Sequence, residues 1–116
     1  MLYVAEPLPE GDFFALSSLV EDEREVRAAA QLTLDVAPRF GLDRVRTVEY
    51  EVETEIPDPA ALRRRIVDVD PDRAPVFDRR ADEIAVAFSR LGEPGALGGR
   101  RFRQPMRADV LIRRAD

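Results

Sequence analysis

The reactive side chains of this 116-residue chain are carboxylates, arginines and a few hydroxyls. It has no histidine, cysteine or tryptophan, and all 18 basic residues are arginine because lysine is absent. That inventory excludes thiolate and imidazole metal sites, disulfide frameworks, cysteine nucleophiles and histidine triads. Ser17, Ser18 and Ser89 have no histidine, lysine or cysteine to activate them, so nucleophilic catalysis fails on composition. Any chemistry must use carboxylates, arginine, hydroxyls or a bound cofactor.

The loop after the first apolar run, Leu2 to Ala5, offers two acids, a proline and two phenylalanines as candidates: Glu6, Pro7, Asp12, Phe13 and Phe14. In doubly wound sheets ligands bind beyond the carboxyl ends of the strands, which makes this loop the candidate substrate-binding segment. Glu6 or Asp12 would orient an acceptor group or take its proton, with Phe13 and Phe14 walling the pocket. The competing reading makes the acids a solvated loop and the phenylalanines core. No catalytic residue is singled out.

Other clusters point to structure. Glu49, Glu51, Glu53 and Glu55 alternate along one strand, which spreads their carboxylates by nearly 7 Å per step and does not converge them on a cation. Arg63, Arg64 and Arg65, or Arg100, Arg101 and Arg103, would suit nucleic acid, but the net charge is −5 and no basic, aromatic-studded surface emerges. The glycines at 92, 95, 98 and 99 follow a helix, whereas a dinucleotide-type loop follows a strand and opens a helix. They read as a connecting loop, and neither a metal nor a cofactor site is expected in this chain alone.

The elements that must position these residues are legible from periodicity. Leu2 to Ala5 reads as a buried strand ended by Pro7, Pro9 and Gly11. Phe13, Leu16, Leu19 and Val20 have helical spacing. Asp22 and Glu25 resemble a capping box opening a second helix, with Val26, Ala29, Ala30, Thr33, Val36 and Ala37 on one face and Gly41 free for a left-handed turn past its end. Val48, Tyr50, Val52, Thr54 and Ile56 alternate with the glutamates in a strand. Asp58-Pro59 and Asp70-Pro71 each supply a cap with proline at the first helical position, the second before a longer helix carrying a stripe of Phe77, Ala81, Ile84, Phe88 and Leu91. A last strand alternates Phe102, Gln104, Met106, Ala108, Val110 and Ile112 with arginines, so antiparallel pairing would set its arginines against the glutamates.

The length fits a single domain spanning residues 1–116, with one modest core. Residues 1–58 hold 5 Arg against 14 Asp or Glu, a charge of −9, and residues 59–116 hold 13 against 9, a charge of +4. The two halves should attract. No apolar run long enough to cross a bilayer and no signal-peptide pattern occurs, so the expected location is cytoplasmic.

Strand, helix, strand, helices and a final strand indicate an α/β layered fold. That order resembles the C-terminal half of a class I S-adenosylmethionine-dependent methyltransferase of the small-molecule type, over essentially all 116 residues. Leu2-Tyr3-Val4-Ala5-Glu6-Pro7 is similar to the family's fifth strand with its acidic-proline ending, and Arg39-Phe40-Gly41-Leu42-Asp43-Arg44-Val45 to the junction before its sixth. Asp58 to Leu91 resembles the last crossover, and Arg101 to Leu111 the antiparallel seventh strand.

The resemblance implies a three-layer, Rossmann-like half domain: a short sheet with the equivalent of one parallel strand pair, a C-terminal antiparallel strand, and helices between. It implies S-adenosylmethionine as cofactor, yet the family's first four strands, its glycine-rich loop and its ribose-holding acid have no counterpart in these residues. Methyl transfer would then require another chain to supply the cofactor site. The Leu2–Ala5 strand would leave an open edge for that partner or for a second copy, unless the sequence is a truncated product that folds poorly. The alternative is a non-catalytic α/β interaction module that uses the same edge. Neither nucleic acid nor membrane is expected as a partner.

Overall fold

The computed structural model describes residues 1–114. In chain order the elements are β1 (Leu2–Pro7), α1 (Asp12–Ser17), α2 (Arg24–Asp35), β2 (Leu42–Ile56), α3 (Pro59–Val69), α4 (Ala74–Arg79), α5 (Ala81–Leu91), β3 (Glu93–Pro94) and β4 (Arg100–Arg113). A 3-10 turn at Ala37–Phe40 ends in Gly41 at φ 81°, the expected left-handed cap. Asp58 caps α3 by accepting the Ala61 amide at 2.8 Å, with Pro59 in the first turn, also as expected.

Two local expectations are not met. Glu23, not Asp22, precedes α2, and no side-chain bond caps that helix. Asp70 does cap, but it opens a three-residue 3-10 turn, and the long helix expected beyond it divides into α4 and α5 at Arg80. The Arg80 amide donates to both the Val76 and Phe77 carbonyls, which tightens and closes α4.

The sheet order is β1-β4-β2, with β3 also pairing β4. β1 runs antiparallel to β4, Leu2 facing Leu111 and Pro7 facing Met106. Thr47 meets Asp109 and Glu49 meets Arg107, contacts that advance in opposite directions along β2 and β4, as antiparallel neighbours require. The fold is therefore mixed α/β around an open antiparallel sheet, and the expected parallel strand pair is not formed as neighbours. The physical reason is charge: the arginines of β4 take the glutamates of β2 as partners, which places β4 between β1 and β2.

Contacts group the chain into two compact units. The first comprises Met1–Pro9, Glu23–Val52 and, among the described residues, 105–114. Here α2 packs against β1, and its buried residue is Leu34, followed by Ala37 in the next turn. The predicted inner face holds at its end, where Ala37 is buried and Val36 half-buried, and at half-buried Ala30, but Val26 is 70% exposed and Ala29 and Thr33 are exposed; the half-buried Arg27 and Gln31 bond instead to the Leu8 carbonyl and to Arg107. β1 is also not a buried strand. Tyr3 is 64% exposed, because β1 is an edge whose face over this part of the sheet carries no helix.

The second unit comprises Glu10–Asp22 and Glu53–Gln104. Its core gathers Leu16, Ile56, Leu62, Ile66, Phe77, Ile84, Ala87, Phe88 and Phe102. The Phe88 and Phe102 rings meet at a tilt of 51° with centroids 5.2 Å apart. Of the expected α4–α5 stripe, Phe77, Ile84 and Phe88 are buried, while Ala81 is exposed and Ala87 takes its place.

Candidate functional site

Glu6 and Pro7 end β1 in the first unit and are half-buried. Glu6 stands across the ladder from Arg107, and Pro7, which has no amide to donate, from Met106. Beyond them the Leu8 amide donates to the Pro105 carbonyl at 3.0 Å, and Arg27 Nη1 donates to the Leu8 carbonyl at 3.0 Å. The chain therefore leaves β1 along a fixed path, gripped from α2.

Asp12, Phe13 and Phe14 lie in the second unit, in the first turn of α1. Gly11 at φ 98° makes the turn into that helix, a conformation glycine adopts without strain. Asp12 Oδ1 accepts the backbone amide of Arg103 at 2.5 Å, tying the start of α1 to β4. Phe13 meets Phe102 edge-on, centroids 6.3 Å apart at 72°, with the Arg65 guanidinium 5.5 Å from its ring centroid. Phe14 is buried. The five candidate residues thus divide between the units, two in the first and three in the second, each group placed by contacts of its own unit.

The deepest polar group was not singled out by sequence reasoning. Asp109 on β4 is 0% exposed. Its Oδ1 accepts the Thr47 hydroxyl at 2.6 Å and lies 3.1 Å from Arg44 Nε, and Arg44 Nη1 reaches Asp35 at 3.0 Å. Arg107 donates to Gln31 Oε1 at 3.1 Å and to Glu49 Oε1 at 2.8 Å. The hydrogen bond to Glu49, reinforced by Asp109 and Asp35, holds the Arg107 guanidinium above its usual pKa. Asp109 Oδ2, Arg44 Nη2 and Gln31 Nε2 are buried without hydrogen-bond partners. The network orders α2, β2 and β4 within the first unit; one sequence signal pointed to it, because Asp109 is the sole acid in a strand of arginines.

The glutamate row is paired as expected at Glu49 and at Glu53, which lies 3.5 Å from Arg103. Glu55 does something else. Its carboxylate accepts the amides of Leu97 and Gly99, each at 3.1 Å, and so holds the turn between β3 and β4. A Cβ at Gly95 would overlap that carboxylate, and Gly98 sits at φ 88°. The glycine loop leads from a helix into a strand with two of its amides already engaged by Glu55, so it does not fit S-adenosylmethionine or any dinucleotide. Among the described residues no three acids are grouped to hold a metal ion, and no helix is long and apolar enough to cross a membrane. No protein-family model, curated protein or solved structure matches this chain.

Proposed function

We propose that the chain is the substrate-side, C-terminal half of a class I S-adenosylmethionine-dependent methyltransferase, active in methyl transfer when another chain supplies the cofactor site. The observation that carries this reading is the outer edge of β1. β1 pairs with β4 on one side, and among the described residues no strand takes its other side. An edge of exposed Leu2 and Tyr3 with no charged residue before Glu6 lacks the usual guards against strand addition. The antiparallel setting of the C-terminal strand β4 also supports it. In the completed assembly the partner strands extend the sheet toward a Rossmann-like, three-layer arrangement, in the cytoplasm.

In that reading Glu6 and Pro7 of the first unit, and Asp12, Phe13 and Phe14 of the second, are the substrate-side candidates. Methyl transfer depends chiefly on holding the acceptor in line with the sulfonium carbon, and a carboxylate base is needed where the acceptor must lose a proton. The absence of histidine is compatible with this chemistry. The partner carries the glycine-rich loop, because this chain's own glycines are committed to Glu55.

Native mass spectrometry of the tagged chain purified from its host tests the reading. A stoichiometric partner bearing a glycine-rich loop after a strand supports it, and a bare monomer counts against it. Calorimetric titration of the isolated chain with S-adenosylmethionine is expected to show no binding; micromolar affinity would overturn the assignment of the cofactor site to another chain. The second reading, a non-catalytic module that docks a protein or a second copy through Leu2–Ala5, is favoured by the same exposed edge. A stoichiometric partner without a cofactor loop, or a dimer, selects it.

A further inference from the structure

Within the first unit one face of the sheet carries no helix among the described residues, and it is not flat. Ala108 of β4 is a small side chain among longer ones. Over it lies an open cavity of about 170 Å³ lined by Tyr3, Arg46, Val48, Tyr50, Ala108 and Val110. Ala108 is buried at its floor, while Tyr3 and Tyr50 stand exposed as walls. Arg46 is exposed at the rim and, among the described residues, makes no ion pair or hydrogen bond. By contrast Arg44, Arg107 and Arg114 of the same unit each hold a carboxylate.

We propose that this cavity binds a small planar apolar carboxylate, its ring between Tyr3 and Tyr50 and its acid on Arg46. Three features select that occupant. Two tyrosines flanking an alanine and valine floor match an aromatic ring, with offset or edge-on contacts available from either side. The Arg46 guanidinium, which pairs with nothing among the described residues, offers a planar, two-pronged carboxylate site. The volume lies below the 300–1,000 Å³ or so of sites for larger ligands, which limits the occupant to one ring with a short acidic arm.

Charge argues against a second copy as the cover. The side chains that alternate onto this face from β1, β2 and β4 include no acid, so two faces packed together would enclose two guanidinium groups without a counter-charge. The inference is independent of the methyl-transfer reading, since it requires neither a partner chain nor the residues beyond β1.

The test is an amide-resolved NMR titration of the full isotope-labelled chain with phenylacetate. Saturable shifts at Tyr3, Arg46, Val48, Tyr50, Ala108 and Val110 are expected, with a Kd of about 1 mM, ordinary for a ligand of some ten heavy atoms. Arg46→Gln, which removes no ion pair or hydrogen bond among the described residues, is expected to weaken phenylacetate about tenfold and to leave the neutral 2-phenylacetamide unchanged. Tyr50→Leu is expected to erase the preference for phenylacetate over acetate. Shifts scattered over other surfaces, or equal phenylacetate affinity in Arg46→Gln, would overturn the proposal. So would concentration-dependent broadening of these six residues without ligand, which would show a second copy covering the face.

Discussion

The two units bury their interiors with different chemistry. The second closes over rings and branched aliphatics: Leu62 and Ile84 are 0% exposed, and Phe102 packs between Phe13 and Phe88. In the first, the side chain at that depth is Asp109, held by Thr47 and Arg44, with Leu8, Leu34, Ala37, Ala108 and Leu111 as its buried apolar residues. A fully buried Leu or Phe contributes about 1.5–3 kcal/mol by leaving water, whereas a buried ion pair often barely offsets its desolvation. What the ion network supplies is register, since it joins α2, β2 and β4 at particular residues. A unit organised this way has apolar strand positions to spare, and Val48, Tyr50 and Val52 remain exposed on its sheet.

The comparison breaks most sharply at Phe102. Replacing it with alanine removes the ring shared by Phe13 and Phe88 and is expected to cost about 3–5 kcal/mol, a large part of a small protein's stability. Phe40→Ala in the first unit removes the same atoms from a site 80% exposed and is expected to change stability by under about 0.5 kcal/mol. Urea denaturation midpoints check both. A cost near 1 kcal/mol at Phe102 would mean the second unit's core is not the close-packed cluster described.

Next in size is Asp109→Ala. It leaves Arg44 and the Thr47 hydroxyl without their buried acceptor, and because the Arg44 side chain keeps 25% of its exposure the expected loss is about 2–3 kcal/mol. Replacing Asp109 with Leu and Arg44 with Met together is expected to recover most of that loss, which a double-mutant cycle measures directly. If the pair of replacements is as damaging as their sum, the network is not acting as an ion pair and the contrast between units weakens.

The same contrast explains which features were legible in the sequence. Caps and turns were, because Asp58, Pro59 and Gly41 act on their own backbone neighbours. The β2 alternation and its arginine partners were, because period-two patterning fixes which residues share a face. The inward face of α2 was legible only in part: of the residues at helical spacing Ala30, Val36 and Ala37 turn inward while Val26, Ala29 and Thr33 do not, and Arg27 and Gln31 reach the Leu8 carbonyl and Arg107 with their polar ends. The exposure of β1 was missed because an apolar run looks alike whether both of its faces are covered or one is. Of the candidate substrate residues, Asp12 was recognised as an acid in a loop, while its bond to the Arg103 amide depends on a residue far along the chain.

A smaller effect tests whether charge in the second unit serves loops as well as pairs. Glu55→Gln keeps the shape but loses the charge of the acceptor for Leu97 and Gly99, at an expected cost of about 1 kcal/mol. Hydrogen exchange is the sensitive readout: the Leu97 and Gly99 amides should exchange about tenfold faster, with little change in α5. Unchanged protection would assign the turn's rigidity to its internal bonds between Gly95, Gly98 and Gly99.

The smallest expected effect is on acid sensitivity. The hydrogen bond from Arg114 holds Asp43 below the usual carboxylate range in the first unit. In the second, Arg63 does the same for Asp78, Arg80 for Glu83, and Arg101 with Arg103 for Glu93. A carboxylate with a lowered folded-state pKa adds stability that is complete above its unfolded value and lost as pH falls through the folded one. Stability should therefore decline below about pH 4, where unfolded carboxylates begin to protonate. All four groups are exposed, so the decline should be shallow and should flatten further in about 1 M salt, where the screening length is about 3 Å. With three of these pairs in the second unit and one in the first, amide exchange in acid should rise more steeply around α4 and α5 than around β2. The opposite order would mean that the exposed pairs of the second unit do not govern the response to acid.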